Sequence, residues 1–313
     1  MANGKIASLD IDEKIENTIL RYVGNTPLIK ISISLDIPDN VEIYAKLEFF
    51  NPGGSIKDRP ILRMIKEAIK SGELTHDKVI LDSTSGNAGI AYSMIGAALG
   101  YDVELVMPGN ASEERKKSIK AHGARIIITD PIKGYDEAIR KAHELLEGNP
   151  DKYYMPDQYA NKYNPIAHYD TTGKEILEQT EGKVTHFICG IGTGGTVMGV
   201  GKRLREHNPD IEIHVIMPES FPGIEGLKPM GSKYIKPKIY KEDFVEDIRL
   251  HITSEDSKEM CNILSREMGL FVGQSSGAFM KGALELAREI NEGVIVTIFP
   301  DTGNRYFSTQ LWV

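Results

Sequence analysis

From about residue 58 onward, short runs rich in Val and Ile alternate with stretches of helical period, and no other feature restricts the fold as much. The runs KVILDS (78–83), DVELVMP (102–108), RIIITD (125–130), THFICG (185–190), IEIHVIMPE (211–219), LFVG (270–273) and VIVTIFP (294–300) read as strands. Helical patterns lie between them. The first starts at Asp58 and Pro60 and carries Ile61, Leu62, Ile65, Ala68 and Ile69 as one apolar stripe. Others run to about Leu99, over 112–123, from about Tyr135 to Leu146, to about Glu206, over 254–268 and from about Ala278. A strand reached through a helical crossover lies parallel to its predecessor. The chain is therefore expected to be α/β, with mostly parallel sheets covered by helices on both faces. Ligands bind such folds beyond the carboxyl ends of the strands, which directs attention to the loops after Ser83, Cys189 and Gly273.

The 313 residues fit two domains of ordinary size. Thirty-seven Lys and Arg against 45 Asp and Glu leave a net charge of −8, without the basic footprint of broad nucleic-acid binding. Cys189 and Cys261 are the two cysteines, with no partner cluster, so a reducing cytoplasm is expected and a disulfide framework is not. The first residues, MANGKIASLDIDEKIEN, lack the apolar core of a secretory signal. No apolar run approaches the roughly 18 residues of a membrane span. The eight histidines show no HExxH or His/Cys metal spacing, so no metal is expected.

Four loops concentrate the chemistry. Gly190-Ile-Gly-Thr-Gly-Gly-Thr196 follows a strand and opens a helix, where glycines let backbone N–H groups approach an anion. It satisfies GxGxxG, with Glu219 ending the next strand as a ribose-binding acid would, so a dinucleotide cradle competes with a plain strand-to-helix turn. Gly273-Gln-Ser-Ser-Gly277 matches the GxSxG nucleophile elbow of hydrolases. Asp301 is available as the acid, but the last histidine, His251, precedes Ser275, and the required order of Ser, acid and His fails. Asn51-Pro-Gly-Gly-Ser-Ile-Lys57 makes a sharp turn that delivers a lysine just before a helix start. Such a lysine is either a solvated surface charge or, at the mouth of a cleft, a Schiff-base former and general base. Thr84-Ser-Gly-Asn87 offers hydroxyls, a carboxamide and a helix N-terminus, a set that suits a carboxylate or an ordinary helix cap.

Taken in order, GNTPL (24–28), KLEFFNPGGSIKDR (46–59), TSGNAG (84–89), GIGTGGT (190–196) and GQSSGA (273–278) resemble the motifs of the cysteine synthase (O-acetylserine sulfhydrylase) and cystathionine β-synthase family. These are fold-type-II pyridoxal-phosphate enzymes with a tryptophan synthase β-like fold. The resemblance runs from about Gly24 to Thr309. It implies two three-layer αβα domains. The smaller, mobile one (51–161) carries Lys57 and the TSGN loop. The larger one (1–50 and 162–313) carries the phosphate loop and Ser275.

The resemblance also implies roles. Lys57 would bind pyridoxal 5'-phosphate (PLP) covalently and act as the base; Gly192, Thr193, Gly194, Gly195 and Thr196 would cradle the phosphate. Asn87 would meet the ring oxygen and Ser275 the pyridine nitrogen. Thr84, Ser85, Gly86 and Asn87, with Gln158, would hold the substrate carboxylate. The implied reaction is β-replacement, turning O-acetyl-L-serine and sulfide into L-cysteine through an aminoacrylate, in a cytoplasmic homodimer. Serine with homocysteine, O-phosphoserine as donor, and elimination that releases sulfide are the alternatives. Two departures bear on that choice: Ala88 stands where many relatives carry a second threonine, and 219–230 holds Lys228 but no arginine. The tail at 310–313, with the single tryptophan Trp312, is expected to dock on the body or to modulate access to the cleft.

Overall fold

The computed structural model describes residues 10–33, 36–84, 86–220, 223–228, 236–245 and 249–312. Ten strands occur in chain order: β1 (Leu28–Lys30), β2 (Val41–Leu47), β3 (Val79–Ser83), β4 (Val103–Pro108), β5 (Arg125–Thr129), β6 (Tyr153–Tyr154), β7 (His186–Gly190), β8 (Glu212–Pro218), β9 (Arg249–Ile252) and β10 (Gly293–Phe299). The α-helices are α1 (Ile11–Glu16), α2 (Asp58–Ser71), α3 (Asn87–Leu99), α4 (Glu113–Ala121), α5 (Tyr135–Gly148), α6 (Tyr163–His168), α7 (Lys174–Gln179), α8 (Gly195–His207), α9 (Ser254–Met268) and α10 (Gln274–Glu289). The chain divides into two compact units, residues 1–23 with 51–163 and residues 24–50 with 164–313.

The first unit holds a four-stranded sheet in the order β5-β4-β3-β6, parallel throughout. Helix α3 is apolar on every side, and Ala88 through Gly96 are all buried. It fits because Gly89 and Gly96 let neighbours approach: an added Cβ would lie 2.7 Å from Thr84 Cγ2 and 2.4 Å from Val103 Cγ2, respectively. Helix α2 is amphipathic instead, burying Ile61, Met64, Ile65 and Ala68 while Arg63 pairs with Glu67 at 2.8 Å on the outer face. It stops at Gly72, whose φ of 78° is the left-handed cap that glycine adopts without strain. Residues 10–23, taken from the sequence as part of the larger domain, pack on this unit. Ile11 and Leu20 enter its core, and Asp12 pairs with Lys66 at 2.5 Å and Lys70 at 2.6 Å.

The second unit holds a six-stranded sheet ordered β1-β2-β10-β7-β8-β9, parallel except for the β1–β2 edge. The expected strand at 270–273 is an isolated antiparallel bridge between Val272 and Thr302, too short to build a ladder. Helix α10 starts at Gln274, earlier than the expected Ala278, because Gly273 in extended backbone serves as its N-cap and the small residues after it accept helical packing. The tail docks: Leu311 is buried, Trp312 Nε1 donates to Gly303 O at 2.9 Å, and its ring lies 4.4 Å from Phe271. Among the described residues, no helix is long and apolar enough to cross a membrane.

The GNTPL segment has a structural explanation. Lys46, fully buried on β2, donates to Thr26 O at 2.6 Å and Gln179 Oε1 at 2.9 Å and pairs with Glu175 Oε2 at 2.7 Å. Glu175 Oε1 also accepts the Asn25 N–H at 3.0 Å, where Asn25 sits at a left-handed φ of 49°. Removing one partner of such a pair strands the other charge out of water. Glu175→Ala is expected to lower unfolding free energy by about 3–5 kcal/mol, measured by chemical denaturation followed by far-UV circular dichroism; a change within about 0.5 kcal/mol, the range of ordinary surface substitutions, contradicts this assignment.

Candidate active site

In the first unit, Lys57 occupies the N-cap of α2 at the end of a tightly held loop. Asp58 is fully buried, and its Oδ2 accepts the Gly53 N–H at 2.5 Å. The Gly54 N–H donates to Asn51 O at 2.7 Å, and the Lys57 N–H reaches Ser55 Oγ at 3.3 Å. Position 53 must be glycine, since a Cβ there would fall 2.4 Å from Asp58 Oδ1. The carboxylate thus folds the turn back on the helix start and fixes the backbone from which Lys57 extends. Burial disfavours the ammonium and pushes the Lys57 amine down to about 8. At pH 7 about one such amine in ten is unprotonated, against fewer than about one in a thousand at the ordinary lysine value.

The TSGN loop joins β3 to α3. Thr84 Oγ1 accepts the N–H groups of Gly86 and Gly89, each at 3.0 Å, so its hydroxyl serves the helix cap that the sequence left open as one reading. Ser85 lies outside the described residues. Gly86 and Asn87 form the N-terminus of α3, and Gly86 has no room for a side chain: a Cβ would meet Arg115 Cδ at 2.5 Å. Arg115, buried on α4 beside this loop, went unnoticed in the sequence, where SEERKKSIK reads as a solvated helix. Gln158 is buried and its Nε2 donates to Ser83 O at 3.3 Å, which brings it against the start of the TSGN loop. Deeper in this unit Asp82 accepts a short hydrogen bond from Tyr92, and burial pushes the Asp82 carboxyl up to about 7.

In the second unit the glycine loop joins β7 to α8. Gly194, at φ 84°, is the N-cap of α8 and has no side chain to cap it; the Gly195 N–H makes only a long contact of 3.4 Å to Thr193 Oγ1, so this helix start can serve an anion. Thr193 Oγ1 accepts from Asn164 Nδ2 at 3.0 Å, and Thr196 Oγ1 stands 3.4 Å from His168 Nε2. The glycines are required by packing as well as by turn geometry. A Cβ at Gly195 would fall 1.8 Å from Asn164 Oδ1, and one at Gly190 would fall 2.6 Å from Leu227 and from Phe279 of α10. Ser275 is buried on the first turn of α10, the helix that Gly190 abuts.

Both competing readings of these loops lose their partners. Glu219 Oε1 accepts the Ser254 N–H at 2.7 Å, at the head of α9, which accounts for the acid of the dinucleotide pattern. Asp301 holds Tyr306 Oη at 2.8 Å, and its Oδ1 lies 2.0 Å from where a Gly273 Cβ would stand, so the acid of the hydrolase pattern is a packing element. In the cofactor-free protein, Lys57 is expected to react with a small aldehyde at a rate that rises through about pH 8. Reductive trapping with peptide mass spectrometry reads this; a profile rising only near the ordinary lysine value contradicts it.

The model of the family described as "Pyridoxal-phosphate dependent enzyme" matches residues 19–301. The chain is 51% identical over 306 residues to the cysteine synthase of Aquifex aeolicus, covering 96% of this chain and 93% of that protein. The crystal structure of cysteine synthase from Entamoeba histolytica superposes with a TM-score of 0.88 at 37% identity, covering 95% and 90% of the two chains. A hydrogen sulfide-producing enzyme from Fusobacterium nucleatum superposes with a TM-score of 0.85 at 39% identity, covering 93% and 99%. By motif, fold and this similarity, the chain belongs to the pyridoxal-phosphate dependent enzymes of the cysteine synthase family.

Proposed function

We propose that this protein forms L-cysteine from O-acetyl-L-serine and sulfide, with pyridoxal phosphate as its cofactor. The observation that carries the reading is Lys57: an amine on a loop clamped by Asp58, with its protonation lowered to about 8 by burial. The residues present fit the cofactor. Lys57 offers an amine for its aldehyde, and the N-terminus of α8, with glycines at 192, 194 and 195, offers N–H groups to its phosphate. Asn87 and the neutral hydroxyl of Ser275 are the proposed partners of the ring. When bound, pyridoxal phosphate supplies an electron sink for charge developing at the substrate Cα.

The remaining work belongs to the chain. Gly86 and Asn87, at the N-terminus of α3, hold the substrate carboxylate together with Gln158 and Ser85, while Thr84 keeps that N-terminus in shape. Lys57, unprotonated in a useful fraction near neutrality, takes the Cα proton and later returns it. Acetate leaves Cβ with its C–O bond, sulfide forms the C–S bond, and no net oxidation occurs. The buried, unpaired Cys189 and Cys261 support a reducing cytoplasmic setting. A homodimer is the assembly that the family resemblance implies.

The test is kinetic and spectroscopic. The purified holoprotein is expected to be yellow, with a visible band that O-acetylserine displaces and sulfide restores. Turnover should favour O-acetylserine with sulfide over O-phosphoserine, and over serine with homocysteine. Lys57→Ala should keep its far-UV circular dichroism and lose activity by at least the roughly 10²–10⁴-fold that a positioned base contributes. A fully active Lys57→Ala protein, or a preference for homocysteine as acceptor, overturns the proposal.

A further inference from the structure

We propose that His186, Glu212 and His214 form a binding site for one divalent ion of the zinc class, at the end of the larger sheet remote from the glycine loop. In β7 and β8, His186 pairs with Glu212 and Ile188 with His214. Alternation along parallel strands puts His186, Glu212 and His214 on one face, as direct and diagonal neighbours. One ligand atom from each lies within 4.8 Å of the other two. His214 Nε2 is 3.2 Å and His186 Nε2 is 3.9 Å from Glu212 Oε2. Zinc bonds of about 2.0–2.2 Å at tetrahedral angles set neighbouring ligand atoms roughly 3.4 Å apart, so small rotations close this set around an ion.

The second observation comes from His214. It is 1% exposed, and neither Nδ1 nor Nε2 has a hydrogen-bond partner, although Glu212 Oε2 stands so close to Nε2. Buried polar groups are normally satisfied, and an ion held between this imidazole and the Glu212 carboxylate would supply the missing partner. His186 is held from behind. Thr185 Oγ1, which accepts the Val294 N–H at 2.8 Å, lies 2.7 Å from His186 Nδ1 and holds the ring with Nε2 on the side of Glu212, 3.9 Å from its Oε2. An outer hydrogen bond of this kind orients histidine ligands at metal centres generally.

The charges agree with this assignment. An imidazole binds a metal in its neutral form, the form that predominates at pH 7 for an ordinary histidine. Arg205 is the cation that also faces His214. Its guanidinium is held by Phe244 O at 2.7 Å and Ile211 O at 3.3 Å, and it stacks over the Phe244 ring. Glu212, half in solvent, leaves a side open for water as a fourth ligand. Two imidazoles and a carboxylate suit zinc better than the oxygen-seeking calcium or magnesium. The site lies at the first residues of β7 and β8, while the glycine loop follows Gly190, four residues on, or about 13 Å along the strand. Its role is to tie β7 to β8, independently of the proposed turnover.

The experiment uses the chelator-treated holoenzyme titrated calorimetrically with zinc chloride and, in parallel, with Co²⁺ as a visible reporter. One zinc per chain is expected, with a rise in thermal midpoint and a cobalt d–d band. Glu212→Gln, on the exposed ligand, and His214→Gln should each weaken binding by more than the roughly 10–100-fold that loss of an outer-shell partner costs. Glu212→Gln alone decides the matter if His214→Gln fails to fold. Absence of saturable binding, or binding unchanged in Glu212→Gln, overturns the site.

Discussion

The contact on which the rest of the site depends is the one between the buried Asp58 carboxylate and the Gly53 N–H, at 2.5 Å. It ties the far side of the Asn-Pro-Gly-Gly turn to the first residue of α2, so Lys57 leaves the loop from a fixed backbone rather than from a mobile surface segment. A charge-assisted bond of this kind is among the strong ones. It also makes glycine at 53 a requirement, because a side chain there would occupy the carboxylate's place. Burial then lowers the Lys57 amine to about 8, which makes it a nucleophile and a base near neutral pH.

Each unit carries one part of the proposed chemistry on the same structural device, the N-terminus of a helix that follows a parallel strand. In the first unit, Thr84 Oγ1 accepts the Gly86 and Gly89 N–H groups and so fixes the start of α3, where Asn87 is the first helical residue. In the second, Gly194 begins α8 with no side chain to cap it, and the Gly195 N–H is engaged only by a long 3.4 Å contact to Thr193 Oγ1, so the helix start suits an anion. The polar groups that do not serve the site are absorbed elsewhere. Lys46 and Glu175 neutralise each other under GNTPL, Asp301 holds Tyr306, and Glu219 accepts the Ser254 N–H at the start of α9.

Much of this is legible in the sequence, because parallel strands buried on both faces appear as plain Val and Ile runs; β3, β4, β7, β8 and β10 are found that way, and β5, a half-exposed edge strand, by its run of three isoleucines. Strands β1, β2, β6 and β9 are missed. The 28–47 stretch mixes charge with apolar residues, and β6 has two residues and β9 four. At 270–273 an apolar run is mistaken for a strand, since burial of Val272 comes from a bridge and not a ladder. The motifs name Lys57 and the glycine loop, but spacing cannot show whether Thr84 binds a ligand or a helix end. Arg115 is hidden in a charged helix, and His186, Glu212 and His214 converge only through the pairing of β7 with β8.

The central claim is that Lys57 is the residue to which the cofactor is joined. Borohydride reduction of the holoprotein, followed by peptide mass spectrometry, tests it most directly. The account predicts one pyridoxyl-phosphate group per chain, on the peptide containing Lys57; a modification on any other lysine, or none at all, contradicts it.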